Sequence, residues 1–174
     1  MNLMKTMNFN HLTVEIQLDQ ANILAQMKER DDQIRPSESD YLQIKTLHDQ
    51  IIQGIMKVQQ TTGQDDFQTS DNMNSSEVFQ ILEFHTIGSF TRNCILKQNL
   101  RVDIALIIDT LPTHETVGQV SRQILAKMKE AGNYQDGLLL NSADYGFDIM
   151  IGDKTVAVWL TIPFERLPEL CPGF

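Results

Sequence analysis

The sequence predicts an α/β (α+β) fold in which a mixed sheet is flanked by helices, and three observations support this. Apolar residues from Tyr41 to Met56 recur at i, i+3, i+4 and i+7, the spacing of a helix with one buried face. Arg101 to Ile108 (RVDIALII) is a nearly continuous apolar run, typical of a buried central strand. Strand-like and helix-like segments alternate in the second half of the chain. A length of 174 residues suits one domain.

The first part of the chain is predicted to contain an arm, a helix and a polar loop. Residues 1–35 form an N-terminal arm that is partly helical, because only Ile23, Leu24 and Met27 fit a helical stripe. Arg35-Pro36 breaks the chain, and Ser37 can cap the helix that follows. Residues 59–76 (QQTTGQDDFQTSDNMNSS) have almost no apolar content, which predicts a long flexible loop.

The second part supplies most of the predicted sheet within a core at residues 36–170, followed by a short tail at 171–174. A helix is predicted from Thr113, a good N-cap residue, to Lys129. Gly152-Asp153 has the composition of a tight hairpin turn. The remaining predicted strands are Val78–Ile87, Gly137–Leu140, Gly146–Ile151 and Lys154–Ile162, and Trp159 on the last of them is predicted to be a core residue whose N–H needs a partner.

Charge and composition exclude several classes of function. Fourteen Lys and Arg residues against 23 Asp and Glu give a formal charge of −9, which disfavours an autonomous nucleic-acid binder. No apolar run is long enough to span a bilayer, so no membrane partner is expected. Cys94 and Cys171 show neither paired nor metal-type spacing, which indicates free thiols in an intracellular, reducing compartment. Cys94 itself is predicted to be a small apolar filler.

One pattern has a possible chemistry: a strand that runs into Gly88-Ser89, followed by Asp103 on a second strand. The glycine lets backbone N–H groups approach a phosphate, and the serine hydroxyl adds a donor. A carboxylate on the neighbouring strand could hold Mg²⁺ against a triphosphate. From the residues alone, a tight turn with one solvated aspartate is the favoured interpretation, because Gly-Ser pairs are common in turns.

Two segments, HTIGSFTRNCILKQNLRVDIALIIDTLPTHETV and YGFDIMIGDKTVAVWLTIP, resemble the DZF domain of the interleukin-enhancer-binding-factor family. The resemblance is to the acidic, factor 2-like members, and it implies a nucleotidyltransferase-like core. Family members continue into a C-terminal helical lobe, which this chain is expected to lack.

The resemblance also implies that the site is vestigial and non-catalytic. Active nucleotidyltransferases need a second carboxylate two positions after the first and a third on a later strand. Here Ala105 stands at the second position, and the later strand around Val156 carries no acid. Asp109 lies at the opposite end of its strand and cannot substitute. No catalytic residue, metal or cofactor is therefore expected, and Gly88, Ser89 and Asp103 remain as candidates for residual NTP and Mg²⁺ binding.

The function that follows from the resemblance is a non-catalytic interaction subunit of an RNA-associated complex in gene regulation or RNA processing. Its expected partner is another DZF-type or double-stranded-RNA-binding protein, so that RNA is contacted only indirectly. The resemblance implies a nuclear location, with the cytoplasm left open. Two alternatives remain: a sensor that binds NTP without turnover, and a degenerate paralogue that competes with full-length DZF proteins. An active transferase would need a carboxylate from another chain.

Overall fold

The computed structural model describes residues 9–62, 79–132 and 138–167, and the chain divides into two units between Arg35 and Pro36. The first unit contains helix α1 (Phe9–Ile34). This helix is much longer than the short stripe around Leu24 predicted. From residue 20 onward its side chains are almost all exposed, and Leu24 itself is 66% exposed. No described helix combines the length and the apolar content that a bilayer crossing requires.

The second unit begins with helix α2 (Glu38–Thr62). Ser37 caps it, because the Ser37 hydroxyl accepts a hydrogen bond from the backbone N–H of Asp40 at 3.1 Å. The prediction that this helix ends at Met56 and that a loop begins at residue 59 is wrong. Val58 is buried, and Gln59 Nε2 donates to the Leu82 carbonyl at 2.9 Å, so that packing extends the helix. The rest of the predicted polar loop, from residue 63, and the tail at 171–174 lie outside the described residues.

A mixed five-stranded sheet follows, as predicted, with the spatial order β1-β2-β5-β4-β3. Strands β2 and β5 are parallel and the other neighbours are antiparallel. The strand predicted at Gly137–Leu140 is observed at Leu139–Ala143. The elements are β1 (Ile81–Ile87), β2 (Leu100–Ile108), α3 (His114–Glu130), β3 (Leu139–Ala143), β4 (Gly146–Ile151) and β5 (Lys154–Thr161), followed by a 3-10 turn (Phe164–Arg166).

Helices α2 and α3 pack together and against the sheet, and the core lies between these layers. Central strand β2 alternates strictly: its even-numbered residues from Val102 to Ile108 are fully buried in the core, whereas Arg101 to Ile107 at odd positions are half-buried. The prediction of a buried central strand therefore holds for one face only. The other face is open enough to expose polar side chains, and the candidate site lies there.

One turn and one helix cap in this unit are as predicted. Ile151 pairs with Lys154, so Gly152-Asp153 is a two-residue hairpin turn, as predicted, and Gly152 adopts the positive φ of 61° that such turns require. Thr113 caps α3, since its side chain accepts a hydrogen bond from Thr116 N at 3.1 Å. The hairpin sets the register of β4 against β5, and this register determines which side chains meet in the site.

Candidate functional site

The loop that follows β1 brings Gly88 against Asp103, two of the three predicted site residues. Ile87 pairs with Asp103 across the two strands, so the chain turns away directly beside the carboxylate. Gly88 has φ of +78°, and a Cβ added there would lie 3.3 Å from Asp103 Oδ2. The position therefore favours glycine both for its backbone conformation and for the close approach.

The loop itself is closed by short-range hydrogen bonds. Thr91 Oγ1 donates to the Gly88 carbonyl at 2.9 Å, and Cys94 N donates to the Ser89 carbonyl at the same distance. Ser89 is half-buried. Cys94 is exposed, so the prediction that it fills an apolar gap is wrong; its thiol is 3.5 Å from the Ser89 carbonyl.

Asp103 is engaged by two donors from its own face of the sheet. Arg101 Nε donates to Asp103 Oδ1 at 3.0 Å, and Trp159 Nε1 donates to the same oxygen at 3.1 Å. The Arg101 guanidinium carbon also lies 5.6 Å from the centroid of the Trp159 ring, within the range of a cation–π contact. Trp159 is 41% exposed, so its predicted place in the core is wrong, although its N–H has the partner it needs.

A second carboxylate belongs to the same face. Asp103 pairs with Ala157 on β5, and Ala157 pairs with Asp148 on β4, so these residues form one row across three strands. Arg101 Nη2 lies 3.5 Å from Asp148 Oδ1. Arg101 thus contacts both carboxylates. The side chains of Arg101, Asp103 and Asp148 are 30%, 26% and 25% exposed, which leaves their charges partly desolvated.

The sequence contained signals for the two residues that were missed. Arg101 stands two positions before Asp103, and the period of a strand places both side chains on one face. The two-residue turn at Gly152-Asp153 fixes the pairing of Ile151 with Lys154, and counting outward from it pairs Asp148 with Ala157. Finding Asp148 beside Asp103 also required the parallel pairing of β2 with β5, which the hairpin does not reveal.

The arrangement does not fit a pair of catalytic metal ions. Ala105 and Ala157 lie on the same face as Asp103, at positions where oxygen ligands would be needed. One oxygen of Asp103 already accepts two N–H donors. Within residues 9–62, 79–132 and 138–167, no group of three or more His, Cys, Asp or Glu side chains is placed to hold a metal ion. No metal-assisted step can be derived from these residues.

Asp109 serves the opposite end of β2. Its carboxylate accepts a hydrogen bond from Gln80 N at 2.7 Å, and its carbonyl accepts one from Arg166 Nη1 at 2.6 Å. Its role is thus to join the start of β1 and the turn after β5. It contributes nothing to the row that contains Asp103.

A histidine connects helix α2 to the site loop. His48 Nε2 lies 2.8 Å from Thr86 Oγ1, and His48 Nδ1 lies 2.9 Å from Asp49 Oδ1. The His48 ring is 5.0 Å from the ring of Phe90 in the loop, centroid to centroid. Burial raises the pKa of Asp49, but hydrogen bonds from His48 and Lys45 outweigh it and leave this pKa below its ordinary value.

The sequence profile of the DZF N-terminal domain matches residues 6–169. The chain belongs to this family. The predicted resemblance to the DZF domain is therefore confirmed, and the DZF N-terminal domain is a nucleotidyltransferase-like module. Among curated proteins, no sequence matches the chain.

The fold of this chain is shared with the solved structure of CdnC. E. coli MS115-1 CdnC is similar both in its complex with HORMA-deltaN (TM-score 0.52, 9% identity, 79% of this chain and 40% of that chain) and with ATP (TM-score 0.52, 8% identity, 78% and 39%). Escherichia coli DncV in its 3'-deoxy GTP bound form matches with TM-score 0.48, 12% identity and coverage of 75% and 48%. The DZF chain thus spans less than half the length of each of these neighbours.

Proposed function

We propose that this DZF domain is a non-catalytic interaction subunit of an RNA-associated protein complex that acts in gene regulation or RNA processing. Membership of the DZF family supports the interaction role, because DZF domains dimerise with other DZF proteins. The proposed partner is another DZF-type protein or a double-stranded-RNA-binding protein. The proposed setting is intracellular and chiefly nuclear.

The observation that carries the non-catalytic part is the state of Asp103. Phosphoryl-type transfer by two metals needs carboxylate oxygens that are free to bind both ions. Asp103 Oδ1 instead accepts hydrogen bonds from Arg101 and Trp159, and alanines occupy the neighbouring positions 105 and 157 on this face. Without ligands for metal ions, this nucleotidyltransferase-like fold would function by binding other molecules at its surface.

The charge of the chain supports an indirect role toward RNA. A formal charge of −9 repels the phosphate backbone, so affinity for RNA has to come from a partner that supplies Lys and Arg. The partner's cations would release counterions from the RNA, and this acidic subunit would bind the partner. The complex, and not the isolated chain, is then the RNA-binding species.

Affinity purification of the tagged chain from nuclear extract, with and without RNase, tests the proposal. We expect DZF-type or double-stranded-RNA-binding proteins to be retained after RNase treatment, which shows a protein contact. In a parallel gel-shift assay, the purified chain alone should leave duplex RNA unshifted, whereas the reconstituted pair should shift it. RNA binding by the purified chain, or loss of every such partner with RNase, would contradict the proposal.

A second candidate function, nucleotide sensing without turnover, is favoured by the Gly88 approach to Asp103. Gly88, Ser89 and Asp103 would form the binding site, with the positive φ of Gly88 keeping the loop backbone close to the carboxylate. A nucleotide that binds the folded state raises the unfolding temperature by mass action. Thermal unfolding with each NTP, in Mg²⁺ and in chelator, measures this. A rise that Gly88→Ala abolishes would support the sensor, and no rise with any NTP would remove it.

A further inference from the structure

The open face of the sheet holds a permanent cation between two carboxylates. Arg101 Nε is 3.0 Å from Asp103 Oδ1, and Arg101 Nη2 is 3.5 Å from Asp148 Oδ1. A guanidinium stays protonated throughout the pH range in which proteins are folded. The two aspartates therefore share a positive charge that belongs to the chain itself.

We propose that Arg101 is a built-in cation that takes the place of a divalent metal on this face, and that removing it opens a metal site between Asp103 and Asp148. With Arg101 present, the face keeps its two carboxylates together without Mg²⁺. The proposal goes beyond the interaction role, and it can be tested without partner or RNA.

Trp159 contacts the guanidinium in addition to the two carboxylates. The Trp159 ring lies under it, with 5.6 Å from the guanidinium carbon to the ring centroid, and the Trp159 N–H binds the same Asp103 oxygen. An aromatic face favours a cation that is partly desolvated. Arg101 is thus held by the Trp159 ring and by the two carboxylates next to its N–H groups. An exposed surface arginine does not have this combination of contacts.

Electrostatics excludes a second cation while Arg101 is there. Mg²⁺ or Mn²⁺ placed between the carboxylates would lie within a few ångströms of the guanidinium, and like charges at that distance repel. Without Arg101, the two carboxylates would lie in one row of the sheet, on either side of Ala157, with no counter-charge. Carboxylate oxygens are the ligands that these hard cations prefer.

Trp159 provides a reporter at the site, because it is the single tryptophan of the chain and its indole N–H binds Asp103. Paramagnetic Mn²⁺ broadens the NMR signals of nearby protons, so the indole N–H signal in a ¹H–¹⁵N spectrum reports Mn²⁺ bound near this face, and variants of Asp103 show whether this carboxylate is the ligand. In the wild-type chain we expect this signal to persist during Mn²⁺ titration. In Arg101→Met it should broaden at a Mn²⁺ concentration about tenfold lower or less, because the repelling charge is gone.

Two further variants complete the test. Arg101→Met combined with Asp103→Asn should lose the broadening, and Lys45→Met, which removes the cation of an exposed pair with Asp49, should behave as wild type. If Arg101→Met does not fold, Arg101→Gln replaces it, since its amide can still donate to Asp103. Broadening in the wild type that Asp103→Asn abolishes would overturn the proposal. So would an unchanged signal in folded Arg101→Met or Arg101→Gln.

These outcomes are independent of the interaction role. Failure to recover a partner from nuclear extract leaves the Mn²⁺ titration unaffected. Conversely, Mn²⁺ binding by the wild-type chain would overturn the proposal about Arg101. Partner proteins that are retained after RNase treatment would still support the interaction role.

Discussion

Even-numbered residues of β2 face helices α2 and α3, whereas odd-numbered residues lie on the opposite face of the same strand. Val102, Ile104, Leu106 and Ile108 are all 0% exposed, and they belong to one continuous apolar core. On the other face, Arg101 and Asp103 form an ion pair with exposed side-chain fractions of 30% and 26%. Both faces belong to the same strand. They differ because one face is packed in the core and the other is partly exposed to solvent.

The comparison indicates which parts of a nucleotidyltransferase-like fold can change while the fold persists. Residues on the core face must fill a closed space, and a lost methyl group there leaves a cavity. Residues on the open face need only satisfy their charges and hydrogen bonds. That face can therefore carry alanine, arginine and tryptophan beside Asp103 without disturbing the sheet.

The largest difference in the free energy of unfolding should appear when an isoleucine is replaced by alanine on each face of β2. Ile104→Ala removes a fully buried side chain, which costs between about 2 and 5 kcal/mol in the free energy of unfolding. Ile107→Ala, on the same strand but on the half-buried face, should cost about 1 kcal/mol. Urea denaturation of both variants measures the difference. Equal losses would show that the open face is as closely packed as the core.

Loss of the α3 cap should have the next largest effect. Thr113→Ala leaves Thr116 N without its side-chain acceptor, and the free energy of unfolding should fall by about 1 kcal/mol. Thr113→Ser keeps the oxygen and serves as the control, with little change expected. If both variants lose the same stability, the methyl group of Thr113 and not the cap is responsible.

Removal of Arg101 should cost less than a core truncation. Arg101→Met should lower the free energy of unfolding by about 1 kcal/mol, because the pair with Asp103 is partly exposed and screened by solvent. The loss should shrink in high salt. Lys45→Met breaks an ion pair in which both side chains are about half exposed, and it should have a smaller effect. A salt-independent loss would point to packing on Trp159 as the main contribution.

The smallest effect concerns an ion pair that joins α2 to the start of β5. A hydrogen bond from Ser37 and the charge of Lys154 hold the pKa of Asp40 below its ordinary value of 3.8. Hydrogen bonds to Asp153 and then Asp40 raise the pKa of Lys154 above 10.5. The stabilisation is therefore complete between these two values, falls as the pH drops below 3.8, and falls again as the pH rises above 10.5.

Unfolding temperatures measured against pH for wild type and Lys154→Met check this. The variant should lose stability at neutral pH, and its difference from wild type should narrow at both extremes. Lys57→Met, on the exposed side of α2, is the control and should keep the wild-type profile. A difference that stays constant with pH would show that the Lys154 stem contributes by packing and not by charge.

Core elements could be predicted because burial leaves periodic patterns in the sequence. The apolar spacing of α2 and the turn at Gly152-Asp153 indicated a helix and a hairpin, and both exist. The end of α2 was missed because Val58 and Gln59 are held by tertiary contacts with the sheet that no local pattern contains. For the same reason, Trp159 was assigned to the core on hydrophobicity alone.

The sequence predicted only those site contacts that join strands following one another along the chain. Gly88 and Asp103 were expected to meet, and the antiparallel pairing of β1 with β2 brings them together. The meeting of Asp103 with Trp159 and Asp148 depends on the order β2-β5-β4, in which β5 lies between strands that precede it in sequence. Hydrophobic periodicity carries no information about that order.

The central claim is that this chain keeps a nucleotidyltransferase-like fold without nucleotidyl transfer, and a primer-extension assay tests it most directly. The purified chain is incubated with labelled NTP, Mg²⁺ or Mn²⁺ and an RNA primer, beside Asp103→Asn as the matched control. We predict no incorporation by wild type above that of Asp103→Asn. Incorporation by the wild-type chain that Asp103→Asn abolishes would contradict the account, because it would mean that Asp103 holds a metal in spite of Arg101.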